Sequence, residues 1–107
     1  MSIDYDDFSK LDLRVAKILA VEKIPGKTRI IKGEIDLGEE KRNVIIGGAE
    51  FYETDELIGK TVIAVINLTP KKIAGIESNA MLLAADTSGK PFWLTVDDKV
   101  PLGTKIK

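Results

Sequence analysis

The chain has 107 residues, a formal net charge of −1 at neutral pH and a sequence pI near 5.5, with neither cysteine nor histidine. These figures exclude disulfides and thiolate metal sites, the side chain most used for acid–base work and metal ligation near pH 7, and nucleic-acid binding through bulk positive charge. The length suits one domain, residues 1–107, with a single core, and no apolar run approaches the length of a membrane span.

The N-terminal stretch carries Asp4, Asp6, Asp7 and Asp12 against Lys10. It lacks the basic and apolar regions of a signal peptide, so a cytoplasmic location is expected. The abundance of Lys, Glu and Ile and the absence of Gln resemble usage in proteins from hot environments. One helical turn is expected between Asp6 and Leu11. Leu13 to Val21 reads as a first strand with apolar residues at both parities, so both of its faces are expected to be partly buried. Asp12 and Arg14 share a side and are expected to pair. Ile24-Pro25-Gly26-Lys27 is a turn signal. Ile30 to Leu37 is a second strand, in which Gly33 signals a bend or the close approach of another backbone. A third strand runs from Lys41 to Ile46 and ends at Gly47-Gly48.

Ala49 to Ile58 is the best helix candidate, whole or broken near Thr54, with Phe51 or Tyr52 packing against Leu57 or Ile58. Two apolar runs follow, Val62–Leu68 and Ala80–Ala85, both read as buried strands. Between them lie Pro70, Lys71-Lys72, Gly75 and Ser78 as a loop. A polar amide at the end of a buried strand is costly without a partner. Asn67 therefore either bonds the backbone of the following loop or faces a ligand. Asp86 to Gly89 forms a turn, Pro91 to Val96 a short edge strand, and Thr104 to Lys107 a last short strand. Five strands with a helix between the third and fourth imply a mainly all-β fold, a small barrel.

The chemistry available is narrow. No P-loop, dinucleotide fingerprint or Ca²⁺ loop occurs, and the pairs Asp6-Asp7 and Asp97-Asp98 read as solvated. The expectation is a non-catalytic module with no cofactor and no metal. Segment 59–76 holds Lys60, Lys71 and Lys72 and no acid, while Lys27, Arg29 and Lys32 form a second basic cluster. Of the aromatic residues, Tyr5, Phe8, Phe51, Tyr52, Phe92 and Trp93, none falls between Gly59 and Ala85. Phe51 and Phe92 are assigned to the core and Trp93 to packing in the extension. That distribution favours contacts to the backbone and shape of a folded RNA over base-by-base reading.

The order Asn67, Leu68, Pro70, Lys71, Lys72, Ile73, Gly75, Ser78, Met81 resembles the tRNA-binding domain found at the C-terminus of methionyl-tRNA synthetases, as their separate small subunit, or in stand-alone tRNA-binding proteins. Ala80 stands where that family usually has Gly before Met. Phe8 to Ile18 and Asp36 to Val44 are similar to its first strand and second hairpin. The resemblance implies an OB-fold, a five-stranded Greek-key barrel with a short C-terminal extension at about 86–107. It also implies binding to the outer elbow of folded tRNA without sequence specificity, a homodimer, and a methionyl-tRNA synthetase catalytic chain as partner, in cis or in trans, with no membrane. By position, Lys32 would contact phosphate, Asn67 and Ser78 would donate to sugar or phosphate oxygens, and Met81 would meet an unstacked base. Lys71 and Lys72 would steer and neutralise. The bland alternatives are Met81 in the core, Ser78 capping a loop and the lysines as surface charge. Two further readings stay open. One is a small dimeric secretion-related chaperone of the same fold, whose matching loop lacks the Asn-Leu and the Met present here. The other is a purely structural dimerisation module. For the homodimer, Leu94, Val96, Val100, Leu102 and Ile106 are expected to cover an apolar face of a partner subunit.

Overall fold

The longest strand, β1 (Leu13–Lys23), is the member around which the sheet is assembled. The computed structural model describes residues 1–107. β1 pairs antiparallel with β2 (Ile30–Asp36), with β4 (Thr61–Val65) and, at its start, with β10 (Lys105–Ile106). β2 pairs with β3 (Lys41–Gly47) and β4 with β7 (Met81–Leu82), giving the order β3-β2-β1-β4-β7. β3 and β7 then come together, and the Asn79 N–H donates to the Asn43 carbonyl at 3.0 Å. The result is a nearly closed, OB-like barrel, as expected from the element order and the resemblance.

The mixed parity of β1 has two causes: both of its faces are covered, as expected, and a bulge moves Val21 to the interior. Its register against β2 shifts between Ile18 and Ala20, leaving Leu19 as a bulge. An extra residue flips every later side chain to the other face. Ala16 and Ile18 before the bulge and Val21 after it therefore face the same interior, together with Ile35, Val44, Ile46, Leu57 and Val62. Gly33 sits opposite Val44, where a Cβ would lie 2.6 Å from the Ile46 Cδ1. The close approach read from Gly33 is thus made by a side chain, not by another backbone.

A second, smaller cluster lies outside the barrel wall. Leu13, Val15, Ile63 and Val65 are buried there under Leu83, Val96, Val100, Leu102 and Ile106. Four of the five residues assigned to a partner subunit therefore cover their own chain, and only Leu94 is largely exposed.

Segment 49–58 takes the broken form of the two expected, splitting into a 3₁₀ turn, Ala49–Phe51, and a single α-helical turn, α2 (Thr54–Leu57), following the short α1 (Tyr5–Ser9). Glu53 begins the second piece, its N–H bonded to Glu56 Oε1 at 2.9 Å. Other expectations need correction. Leu57 alone reaches the interior fully; Phe51 and Ile58 are exposed. The run Val62–Leu68 leaves the sheet after Val65, and Ala80–Ala85 changes partner midway. After β7, Leu83 donates to Ile63, and the chain forms a separate hairpin, β8 (Ala84–Thr87) with β9 (Lys90–Trp93). Phe92, on β9, is exposed instead of buried.

Candidate functional site

The segment between β4 and β7, read as a loop, contains a hairpin. β5 (Lys71–Ile73) pairs with β6 (Ile76–Ser78) across a two-residue turn, Ala74-Gly75, in which both residues have positive φ, 53° and 78°. That is the turn hand that fits the twist of a hairpin, and Ala is an unusual occupant of its first position. The pairing sets the direction of the lysines. Lys71 is opposite Ser78 and Ile73 opposite Ile76, while Lys72 is opposite Glu77. Side chains alternate along a strand, so Lys71 and Ser78 share one face and Lys72 and Glu77 the other.

On the first face, Lys71, Ile73 and Ser78 line a groove of about 260 Å³ with Ile45, Leu68 and Met81. Met81 is 47% exposed, so it faces the groove and not the core. Lys32 on β2 lies directly opposite Ile45 on β3, one strand away. None of Lys32, Lys71 and Lys72 takes part in an ion pair. The structure thus brings Lys71, Ser78 and Met81 together, puts Lys32 beside them, and turns Lys72 away. Ala80 is buried among the main-core residues, which accommodate its methyl group. The groove offers an apolar floor and an ammonium group with no carboxylate in its lining, which suits an unstacked base followed by a phosphate.

Asn67 and Ser78 are both bonded within the chain. Asn67 lies exposed beyond the end of β4; its Oδ1 accepts from the Asp12 N–H at 2.8 Å and its Nδ2 donates to the Lys10 carbonyl at 2.6 Å. The partner backbone is that of residues 10–12, not the loop that follows. Ser78 Oγ accepts from the Ile45 N–H at 3.1 Å and donates to the Ala80 carbonyl at 3.0 Å. A hydroxyl has one hydrogen and an amide NH₂ two. Asn67 therefore keeps a donor free for another partner, whereas Ser78 must give up Ala80 to donate elsewhere.

Arg42 was not singled out in the sequence, and it holds the base of the hairpin. Its Nη1 donates to the carbonyls of Ile66 and Asn79, the residues on either side of the 67–78 excursion. The Glu40 carboxylate fixes the same guanidinium by two bonds, of 3.3 and 3.1 Å. Only the alternation of Glu40, Arg42 and Val44 hinted at this, since it places Glu40 and Arg42 on the same side. Nearby, Asp12 and Arg14 pair as expected, at 2.6 and 3.2 Å. The Arg14 hydrogen bond and charge hold the Asp12 carboxyl below its ordinary value, and the same bond raises Arg14.

Residues 13–105 match the family described as "Putative tRNA binding domain". A methionine–tRNA ligase of Methanocella arvoryzae is 50% identical over 106 residues, which are 98% of this chain and 15% of the ligase. Among solved structures, a MetRS-related protein from Pyrococcus horikoshii superposes with a TM-score of 0.94 at 37% identity, over 100% of this chain and 99% of that one. A CsaA chaperone protein from Picrophilus torridus superposes at 0.89 and 36% identity, over 99% and 100% of the two chains. No helix of the chain is long and apolar enough to cross a membrane. With a match running from β1 into β10 and a fold shared along its full length, the chain belongs to the tRNA-binding domain family represented in methionine–tRNA ligases.

Proposed function

We propose that this chain binds folded tRNA at its outer elbow, without reading the anticodon, and so assists a methionyl-tRNA synthetase to which it is joined or bound. The family match carries this reading. The site adds detail: Lys71 and Lys32 meet phosphates, Met81 meets an unstacked base in the groove, and Lys72 steers from the far face of the hairpin. Ser78 lines the groove and Asn67 fixes the entry to the hairpin, its spare N–H donating to sugar or phosphate. The domain performs no catalysis of its own and works in the cytoplasm, where tRNA is charged. It pairs with a second copy, as the exposed Ile3, Tyr5, Phe8 and Leu11 around a helix with no buried residue favour.

The test is binding of several unrelated tRNAs and an unstructured RNA of equal length, measured by fluorescence anisotropy against salt. The tRNAs should bind within a few-fold of one another and more tightly than the single strand. Two phosphate-contacting lysines correspond to a slope of log affinity on log salt of about −1.5 to −2. Equal affinity for the unstructured RNA would overturn the reading. The apolar groove floor and the similarity to a CsaA chaperone protein favour peptide as the second reading. A peptide that displaces tRNA, or binds where tRNA does not, would move the assignment there.

A further inference from the structure

The hairpin groove lies beyond one end of β4. A second groove, of about 360 Å³, lies at the other end, where Lys60 precedes the strand. It is lined by Tyr52, Phe92 and Trp93, by Lys60 and Lys90, and by Thr61 and Thr95; the Asp98 carboxylate is bonded to the Thr61 hydroxyl at 3.2 Å. The Lys90 ammonium stands 5.2 Å from the centre of the Phe92 ring and 5.6 Å from that of Tyr52. Tyr52 and Trp93 are tilted against each other at 6.4 Å, and the Tyr52 hydroxyl is fixed on the Pro91 carbonyl. This wall is therefore built, while Phe92 beside it is 48% exposed. Neither lysine has an anionic partner within the chain. Trp93 Nε1 is the one buried side-chain polar atom without a hydrogen-bond partner. A buried donor left unpaired is costly, and such an atom calls for an explanation.

We propose that this groove binds a single unstacked nucleotide, its base against the Phe92 ring and its phosphate between Lys60 and Lys90. The chemistry follows from what each group lacks. The Lys90 ammonium stands against two ring faces and neither lysine is in an ion pair, so a phosphate gives them a counter-charge. Phe92 is about half exposed, and stacking of a flat base would cover that apolar surface without demanding a particular sequence. Trp93 backs the groove with its Nε1 enclosed, so the site stands on Phe92, Lys60 and Lys90. A peptide carboxylate could neutralise the lysines but would leave the ring uncovered, so the combination of flat faces and paired cations favours a nucleotide. The site is separate from the hairpin groove and does not rest on it.

Trp93 is the only tryptophan of the chain and lines this groove, so it reports occupancy directly. The full chain is titrated with adenosine 5′-monophosphate, adenosine and inorganic phosphate at constant ionic strength, following Trp93 fluorescence. The monophosphate should give a saturable change, adenosine a weaker one and phosphate none. Phe92→Leu keeps the apolar bulk but removes the ring face, and should weaken binding at least about five-fold. Lys90→Met should weaken it as well, and Lys71→Ala, in the other groove, should not. No saturable change with the monophosphate would overturn the proposal. So would inorganic phosphate matching the monophosphate, or a Phe92→Leu protein of unaltered melting temperature that binds as before.

Discussion

The backbone N–H of Asp12 donates to Asn67, its carbonyl accepts from the Ile66 N–H, and its carboxylate holds Arg14 by two bonds. Arg14 in turn donates to the Gly103 carbonyl, so one residue ties the N-terminal segment, the exit of β4 and the C-terminal strap together. Because the folded-state value of Asp12 lies below its ordinary 3.8, the ionised form stabilises the fold. That contribution is complete above the unfolded value and is lost as pH falls through the lowered folded one. The expected outcome is a wild-type melting temperature above that of Asp12→Asn at pH 7. The gap should narrow once the pH drops below about 4 and close in stronger acid, as thermal scans across pH would read. A gap unchanged down to strong acid would show that the carboxylate charge is not its source. The Asp12–Arg14 pair was legible because two residues of one parity stand side by side. The partners of Asn67 were not, since they lie 55 and 57 positions away and only the closed barrel brings them near.

At the scale of elements, the β5–β6 hairpin is a short projection whose base is held by side chains more than by sheet pairing. Arg42 spans its two ends, Ser78 ties it to β3, and Asn67 ties its entry to residues 10–12. Arg42→Met would leave the Ile66 and Asn79 carbonyls without their donor, a loss of about 1–3 kcal/mol borne mostly by the hairpin. Hydrogen exchange should quicken at residues 71–79 while the amides of β1, β2 and β4 stay protected, and tRNA affinity should fall. The salt slope should hold, because Arg42 positions the hairpin without touching phosphate; a slope reduced by about 1 would mean that it does touch one. The hairpin itself was hidden in the sequence. Pro70 and adjacent lysines read as loop, and Ala at a positive-φ position lacks the usual Asn or Asp of a two-residue turn. The core strands were legible because β-branched residues recur along them. Even there, the bulge at Leu19 was masked, because a strand covered on both faces is apolar at both parities anyway.

For the whole molecule, the apolar residues of segment 94–106 announced a covered face without saying whose. The answer lay at the other end of the chain, in Leu13 and Val15, which β1 turns away from the barrel interior and which this strap encloses. Gly103 shows how tightly the strap is seated: its φ is +87°, and a Cβ there would fall 2.4 Å from the Leu37 carbonyl oxygen. The pairing of β10 with the start of β1, Leu13 opposite Ile106, joins the last strand to the first. Almost the entire chain must be closed into a loop before that ladder can form, so it is the pairing of greatest sequence separation in the sheet. A circular permutant, with Lys107 linked to Met1 and new termini opened at the exposed Asp97-Asp98-Lys99 turn, would make it a local pairing and leave the other ladders unchanged. The lower closure entropy, about 1.5 kcal/mol, should speed refolding roughly ten-fold if the β1–β10 contact belongs to the folding nucleus. Stopped-flow Trp93 fluorescence would read it, and an unchanged refolding rate with slower unfolding would place the strap among the last parts to dock.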